Sequence, residues 1–178
     1  EKLDQLGITT TEHNYDKAPF YKAFLICCEG LIEYAHRYAD EAERLAGLEQ
    51  DPVRKAELEK IAANCRRVPE YPARDFHEAL QSLWFTAIAY RLEQPTVGVI
   101  SMGRFDQYMY PTYIQGIRDG SLTEEKALEL MECLWVKIAE YVPFNATTAG
   151  NYWEGYAHYE QTMIGGQTVD GRDATNEL

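Results

Sequence analysis

The sequence predicts an α/β fold, mainly helical, with two short strands. Three observations carry this expectation. Apolar residues recur three or four apart over most of the chain, which is the spacing of one helical face. Two short segments, 94–101 and 161–166, break that period with β-branched residues and glycine. Cap and breaker residues fall at the edges of the periodic runs.

Each element follows from its own residues. The first fifteen positions are polar and weakly patterned, and a helix begins at Asp16. Phe20, Phe24, Cys28, Leu31, Ala35, Tyr38, Ala42 and Leu45 form its apolar stripe, and Gly47 is expected to stop it. Asp51-Pro52 reads as a cap followed by a proline suited to the first helical position. The second helix runs to about Arg67 with Leu58, Ile61, Ala62 and Cys65 inward, until Pro69 and Pro72 break the chain. A third helix opens at Asp75, with Glu78 three positions on in the pattern of a capping box. Phe76, Ala79, Leu80, Leu83, Trp84, Ala87, Ile88 and Leu92 cover so wide an arc that packing on several sides is expected.

Gln94 to Ser101 is short, β-branched and led by proline, and reads as a buried strand. Gly103-Arg104-Phe105-Asp106 leads into a helix ending at Asp119-Gly120. Thr123 caps the next helix, Leu122 is placed to staple onto Ala127, and Leu130, Met131, Leu134, Trp135, Ile138 and Val142 continue its inner face. Residues 143–152 form a polar loop, and 162–166 reads as the second strand before an Asp170-Gly171 turn. Asp173 then caps what reads as a helix over 174–178. A single helical turn is not stable alone, so the chain is expected to be cut inside an element.

Composition narrows the function. Hydrophobic residues make up 46% and net charge is −12. The first figure fits a folded core and argues against disorder. The second disfavours nucleic acid and anionic membrane surfaces as partners. The longest apolar runs, such as Ala23 to Cys28, fall far short of the ~20 residues of a membrane span. The opening Glu1-Lys2-Leu3-Asp4 does not read as a secretion signal. Cys27, Cys28, Cys65 and Cys133 lie in periodic stretches without a C-x-x-C, which predicts reduced, core-packed thiols and a cytoplasmic protein.

Residue chemistry alone assembles no complete active site. There is no nucleophile elbow, no phosphate loop, no dinucleotide fingerprint and no His pair with metal-ligand spacing. Glu124-Glu125 is explained by a helix start, and Arg66-Arg67 reads as a solvated pair before an anion site. The glycines of the two strand-like segments either allow close backbone approach to a ligand or only relieve packing.

Four motifs carry a resemblance. Pro72-Ala73-Arg74-Asp75-Phe76-His77-Glu78-Ala79-Leu80-Gln81-Ser82-Leu83-Trp84-Phe85 resembles the glycyl radical enzymes, the pyruvate formate-lyase-like superfamily. So do Ser101-Met102-Gly103-Arg104-Phe105-Asp106-Gln107-Tyr108, then Gly120-Ser121-Leu122-Thr123-Glu124-Glu125-Lys126-Ala127, and finally Ile164-Gly165-Gly166 with Asp170 to Leu178. Order and spacing agree over roughly residues 15–178.

The resemblance implies a mainly helical segment of a ten-stranded α/β barrel, with two of its short strands in this chain. It implies a glycyl radical, installed by an activase that uses S-adenosylmethionine and an iron–sulfur cluster. It also implies a cysteine that relays the radical to a small-molecule substrate, and a homodimer at full length. The chain lacks both the Arg-Val-x-Gly-Tyr-like radical motif and the Gly-Cys-Val-Glu-like thiyl motif. Residues 1–178 are therefore expected to be part of such a domain, inactive alone, with no catalytic residue, no metal and no cofactor of their own.

Phe105-Asp106-Gln107 resembles the dehydratase, decarboxylase and carbon–heteroatom lyase branch. By position, the family's pocket falls on Gly98 to Ser101 and on Trp153 and Tyr159, with Gly98, Ser101, Trp153 and Tyr159 as substrate-binding residues. Trp153 resembles the isethionate sulfite-lyase group, where a bulky apolar wall stands beside a small sulfonate. Core packing is the competing explanation for Trp153. The other functional readings are a formate C-acetyltransferase and a non-catalytic helical interaction module.

Overall fold

The computed structural model describes residues 17–93, 101–140 and 162–178. The expected strand residues 94–100, the loop 143–152, Trp153 to Tyr159, and Val142 lie outside them. The elements are α1 (Lys17–Leu48), α2 (Pro52–Arg67), α3 (Phe76–Glu93), β1 (Gly103–Arg104), α4 (Phe105–Asp119), α5 (Glu124–Ala139) and β2 (Thr162–Met163). The chain divides into two compact units, Glu1–Arg66 and Arg67–Leu178.

In the first unit, α1 is 32 residues long, or about 48 Å. Its buried face differs from the expected stripe. Ala35, Ala39, Ala42 and Ala46 are buried, while Phe20, Phe24, Tyr38 and Leu45 are exposed. Arg66 of α2 bonds both Asp40 and Glu43 of α1. These bonds tie the end of α2 to the middle of α1. Gly47 does not stop α1, which continues to Leu48. Asp51 caps α2 as expected, its Oδ1 accepting from Val53 N–H at 3.0 Å.

In the second unit, α3, α4 and α5 converge on one core of Phe76, Leu80, Met102, Phe105, Met109, Tyr113, Ala127, Leu134 and Ile138. The Phe76 and Tyr113 rings meet edge to face, 5.8 Å between centroids. Of the wide arc of α3, Phe76, Leu80 and Ala87 are buried, Ala79, Leu83, Trp84 and Ile88 are half-buried, and Leu92 is exposed. The α4–α5 connection follows the sequence closely. Gly120 ends α4 in a left-handed conformation with φ 76°, and the Thr123 hydroxyl accepts from Lys126 N–H. Leu122 packs against the cluster that contains Ala127.

Of the expected second strand 162–166, only Thr162–Met163 is strand, and β1 lies just beyond the expected first strand, whose residues 94–100 lie outside the described residues. β1 and β2 pair in parallel, Gly103 with Thr162 and Arg104 with Met163. Ser101, placed in the strand by the sequence, precedes it by two residues. β2 stops at Met163 because Gly165 and Gly166 turn the backbone to φ 66° and 86°. The Asp170-Gly171 turn forms, with Gly171 N–H donating to Thr168 O. The helix expected over 174–178 does not. Asp173 Oδ1 accepts from Thr175 N–H and Oγ1–H, and Asn176 Oδ1 accepts from Leu178 N–H. These side chains compete successfully with helical backbone bonds.

Candidate functional site

The motif residues meet around the short parallel ribbon. Arg104 projects from β1 and donates through its guanidinium to Gln167 O at 2.9 Å and Gly165 O at 3.4 Å. One residue into α4, Asp106 is buried at 3% exposure. Its Oδ2 accepts from Gly165 N–H at 2.7 Å, Gln107 Nε2 at 3.0 Å and Asn176 Nδ2 at 3.4 Å. Gln107 Nε2 also donates to Ala174 O at 2.7 Å. The Gly103–Gln107 motif and the Gly165–Asn176 motif are thus two sides of one hydrogen-bonded cluster. Asp106 Oδ1 is buried with no partner.

Tyr108 fixes the chain just before β1. Its hydroxyl donates to Met102 O at 2.9 Å, and burial pushes its pKa up to about 12. It therefore remains a donor throughout the neutral range. Ser101, next to Met102, is exposed. Of the four sequence-predicted site residues, Ser101 alone is described; Gly98, Trp153 and Tyr159 lie outside the described residues. Because β1 and β2 are parallel and in register, the chain enters both from the same end of the ribbon. Ser101 lies two residues before β1.

Asp106, Gln107 and Asn176 were not singled out by sequence as site residues. Their motifs were visible, but a hydrogen bond spanning 59 or 70 residues leaves no local period. The glycine question is answered at Gly165. Its φ of +66° suits glycine, and an added Cβ would stand 3.3 Å from Thr175 Oγ1. Conformation and the space beside Thr175 explain this glycine without a ligand.

A second buried acid lies at the start of α3. Glu78 is fully buried and accepts from Arg74 N–H at 2.8 Å and from the Arg74 guanidinium at 2.5 Å. Arg67 Nε stands 3.4 Å away. Asp75 Oδ1 accepts from Glu78 N–H. The expected capping box is thus half formed. Glu78 returns to the N–H of Arg74 rather than to that of Asp75. Burial pushes the Glu78 carboxyl up, but the Arg74 side-chain and backbone bonds outweigh burial and hold it below the ordinary carboxylate range.

Arg66 is exposed, as expected of a solvated residue, and Arg67 is half-buried; surface ion pairs and local bonds account for the pair without an anion. Arg66 binds Asp40 and Glu43, and Arg67 donates to Pro72 O and faces Glu78 and the Tyr71 ring. The cysteines also differ from expectation. All four are free, but only Cys65 is buried, with its thiol pushed up to about 11 by burial; Cys27 and Cys133 are exposed. They fall on outward turns of helices whose periodicity is carried by other residues. Among the described residues, no group of three His, Cys, Asp or Glu side chains could hold a metal. None of the described helices is long and apolar enough to cross a membrane.

Comparison with known proteins agrees with the motifs. The family model described as pyruvate formate lyase-like matches residues 1–178. The isethionate sulfite-lyase of Nitratidesulfovibrio vulgaris is 49% identical over all of this chain and 22% of its own length. A solved structure concerned with 1,2-propanediol dehydration in Roseburia inulinivorans superposes with a TM-score of 0.90 at 41% identity, covering 98% of this chain and 22% of that one. A glycyl radical enzyme from Archaeoglobus fulgidus superposes with a TM-score of 0.86 at 38% identity, covering 99% and 22%. The chain therefore spans about one fifth of the relatives it matches.

Proposed function

Because the chain belongs to the pyruvate formate-lyase-like family, we propose that it forms one segment of a glycyl radical enzyme that cleaves a carbon–heteroatom or carbon–carbon bond in a small substrate. The favoured reaction is carbon–sulfur cleavage of isethionate. The observation that carries this choice is 49% identity, along the whole chain, to an isethionate sulfite-lyase. Dehydration of a small diol is the second reading, motivated by the 0.90 superposition on the structure from the propanediol study.

In this reading, residues 1–178 belong to a longer pyruvate formate-lyase-like domain of a cytoplasmic homodimer. A backbone glycyl radical and a relaying cysteine, in motifs this chain does not contain, would supply the radical once an S-adenosylmethionine and iron–sulfur activase had installed it. The present residues bind and shield. Ser101 offers a hydroxyl that can donate or accept beside Gly98, and Trp153 and Tyr159 form a wall across from them. Six residues on a regular helix turn through about 600°, which would leave the two aromatic rings about 120° apart around the axis. A bent segment around Gly155 lets them converge. An aromatic wall excludes water from a reactive intermediate and orients a small sulfonate by shape.

The test is anaerobic activation of the full-length protein followed by turnover assays. Sulfite release from isethionate is the expected result. Loss of water from 1,2-propanediol would favour the second reading, and acetyl transfer from pyruvate to coenzyme A would sink both. Trp153→Ala should lower kcat/KM by at least tenfold with radical content unchanged, about 1.4 kcal/mol of transition-state stabilisation. A core-packing role predicts that fold and radical are lost together.

A further inference from the structure

We propose that Tyr108 is a positioning residue: its hydroxyl locks the Met102–Gly103 peptide and so holds Ser101, one residue upstream, where the substrate binds. The proposal rests on the reading above in which the Ser101 hydroxyl meets the substrate.

The lock is built from neighbouring residues of one motif. Met102 sends its side chain into the core of the second unit, at 8% exposure. Its carbonyl oxygen accepts from the Tyr108 hydroxyl at 2.9 Å. The Tyr108 ring is in turn met edge to face by the buried Phe105 ring, 5.8 Å between centroids. Met102 is therefore fixed at two points, its side chain and its carbonyl. Ser101 is exposed and one peptide away, so its place follows from how well Met102 is held. Donor and acceptor are only six residues apart. The bond therefore does not depend on what a longer protein packs around this segment.

Gly103 gives the hydroxyl something to select. Its φ is +67°, and a Cβ there would meet nothing within 4 Å, so side-chain sterics do not restrain the peptide before it. Glycine takes positive and negative φ about equally readily. The pairing with β2 begins at Gly103 and does not include Met102. The Met102–Gly103 peptide can therefore rotate between two orientations, and the one observed presents the Met102 carbonyl to Tyr108. Tyr108 is 45% exposed, and water competes for the same carbonyl. A neutral hydrogen bond made in competition with water shifts an equilibrium about two- to tenfold. A phenyl ring at this position would keep the Phe105 contact and lose the selection.

The experiment uses the full-length protein with Tyr108→Phe, Ser101→Ala and the two combined. Two readouts are taken: amide hydrogen exchange of the peptide covering 101–108, and kinetics of the activated enzyme with isethionate and 1,2-propanediol. Y108F should exchange about fivefold faster in that peptide. It should also lose about fivefold in kcat/KM, mainly through KM, with radical content per protomer unchanged. Added to Ser101→Ala, it should change kcat/KM by less than about twofold, because the group it positions is gone. Parental exchange in Y108F overturns the lock. Faster exchange with parental kinetics overturns the positioning role. A full loss on top of Ser101→Ala shows that Tyr108 does not act through Ser101, and overturns that role too. Loss of radical together with activity in Y108F makes Tyr108 a folding residue and overturns the proposal. Parental kinetics in Ser101→Ala sink the reading of Ser101 and the positioning role with it, while exchange still decides the lock. If neither substrate turns over, the reaction reading fails by itself, and exchange again decides the lock.

Discussion

Glu78 shows how one residue links sequence pattern to pH. Asp75 and Glu78 are three apart, and that spacing marks a helix start in the sequence. Nothing local marks Arg67, eleven residues upstream, as the second cation beside the same carboxylate. The folded pKa of Glu78 lies below its ordinary value, which is about 4.3 when unfolded. Its contribution to stability is therefore fully present above that value and is lost as pH falls through the lower, folded pKa. Amides of the first turn of α3 should accordingly lose hydrogen-exchange protection on acidification through that window. Glu78→Gln should be less protected already at neutral pH and nearly insensitive to pH there. Glu78→Ala should cost about 2 kcal/mol through lost charge-assisted bonds. Equal acid response in the parent and Glu78→Gln would show that another group governs this helix start.

Among the elements, the α4–α5 hairpin was the most legible, and α1 the least in its buried face. Asp119-Gly120, Leu122 and Thr123 each carry a local steric or capping signal, and the structure uses all of them. Of the expected α1 stripe, Ala35 and Ala42 are buried while Phe20, Phe24, Tyr38 and Leu45 are exposed, because periodicity locates a face but not how far along the helix that face is covered. β1 begins at Gly103, just after the expected strand 94–101, whose residues 94–100 lie outside the described residues. Its position is fixed by pairing with β2, 59 residues away in register, not by β propensity. The hairpin also holds a glycine the sequence did not mark. A Cβ at Gly116 would stand 2.8 Å from Leu122 Cβ, an atom close to the backbone that cannot swing aside. Gly116→Ala should therefore cost about 1–3 kcal/mol through overpacking. At Gly120 there is open space and the penalty is only the left-handed backbone, so Gly120→Ala should cost about 1 kcal/mol. Denaturant unfolding of the two variants gives the order, and a Gly120→Ala loss larger than that of Gly116→Ala would reverse the steric argument.

For the molecule as a whole, the surface this chain presents by itself is the part the sequence could not disclose, because periodicity finds apolar faces but not what covers them. Phe20, Phe24, Ile26 and Leu48 in the first unit are each more than 60% exposed, as are Leu92 and Ile164 in the second. The relatives are more than four times longer, since the chain covers 22% of them. Two effects compete when residues 1–178 are produced alone. A net charge of −12 repels copies of the chain, but at physiological salt that repulsion fades beyond about 8 Å. Apolar burial acts at contact and contributes about 1.5–3 kcal/mol for each large side chain removed from water. A few such residues outweigh the screened repulsion. The isolated chain should therefore self-associate at tens of micromolar, and more strongly as salt rises, because salt weakens the repulsion. Phe20→Glu combined with Phe24→Glu should shift it toward monomer in light scattering. A monodisperse, sharply melting monomer at high salt would show that the exposed faces do not cohere, and that charge governs the behaviour of the chain in isolation.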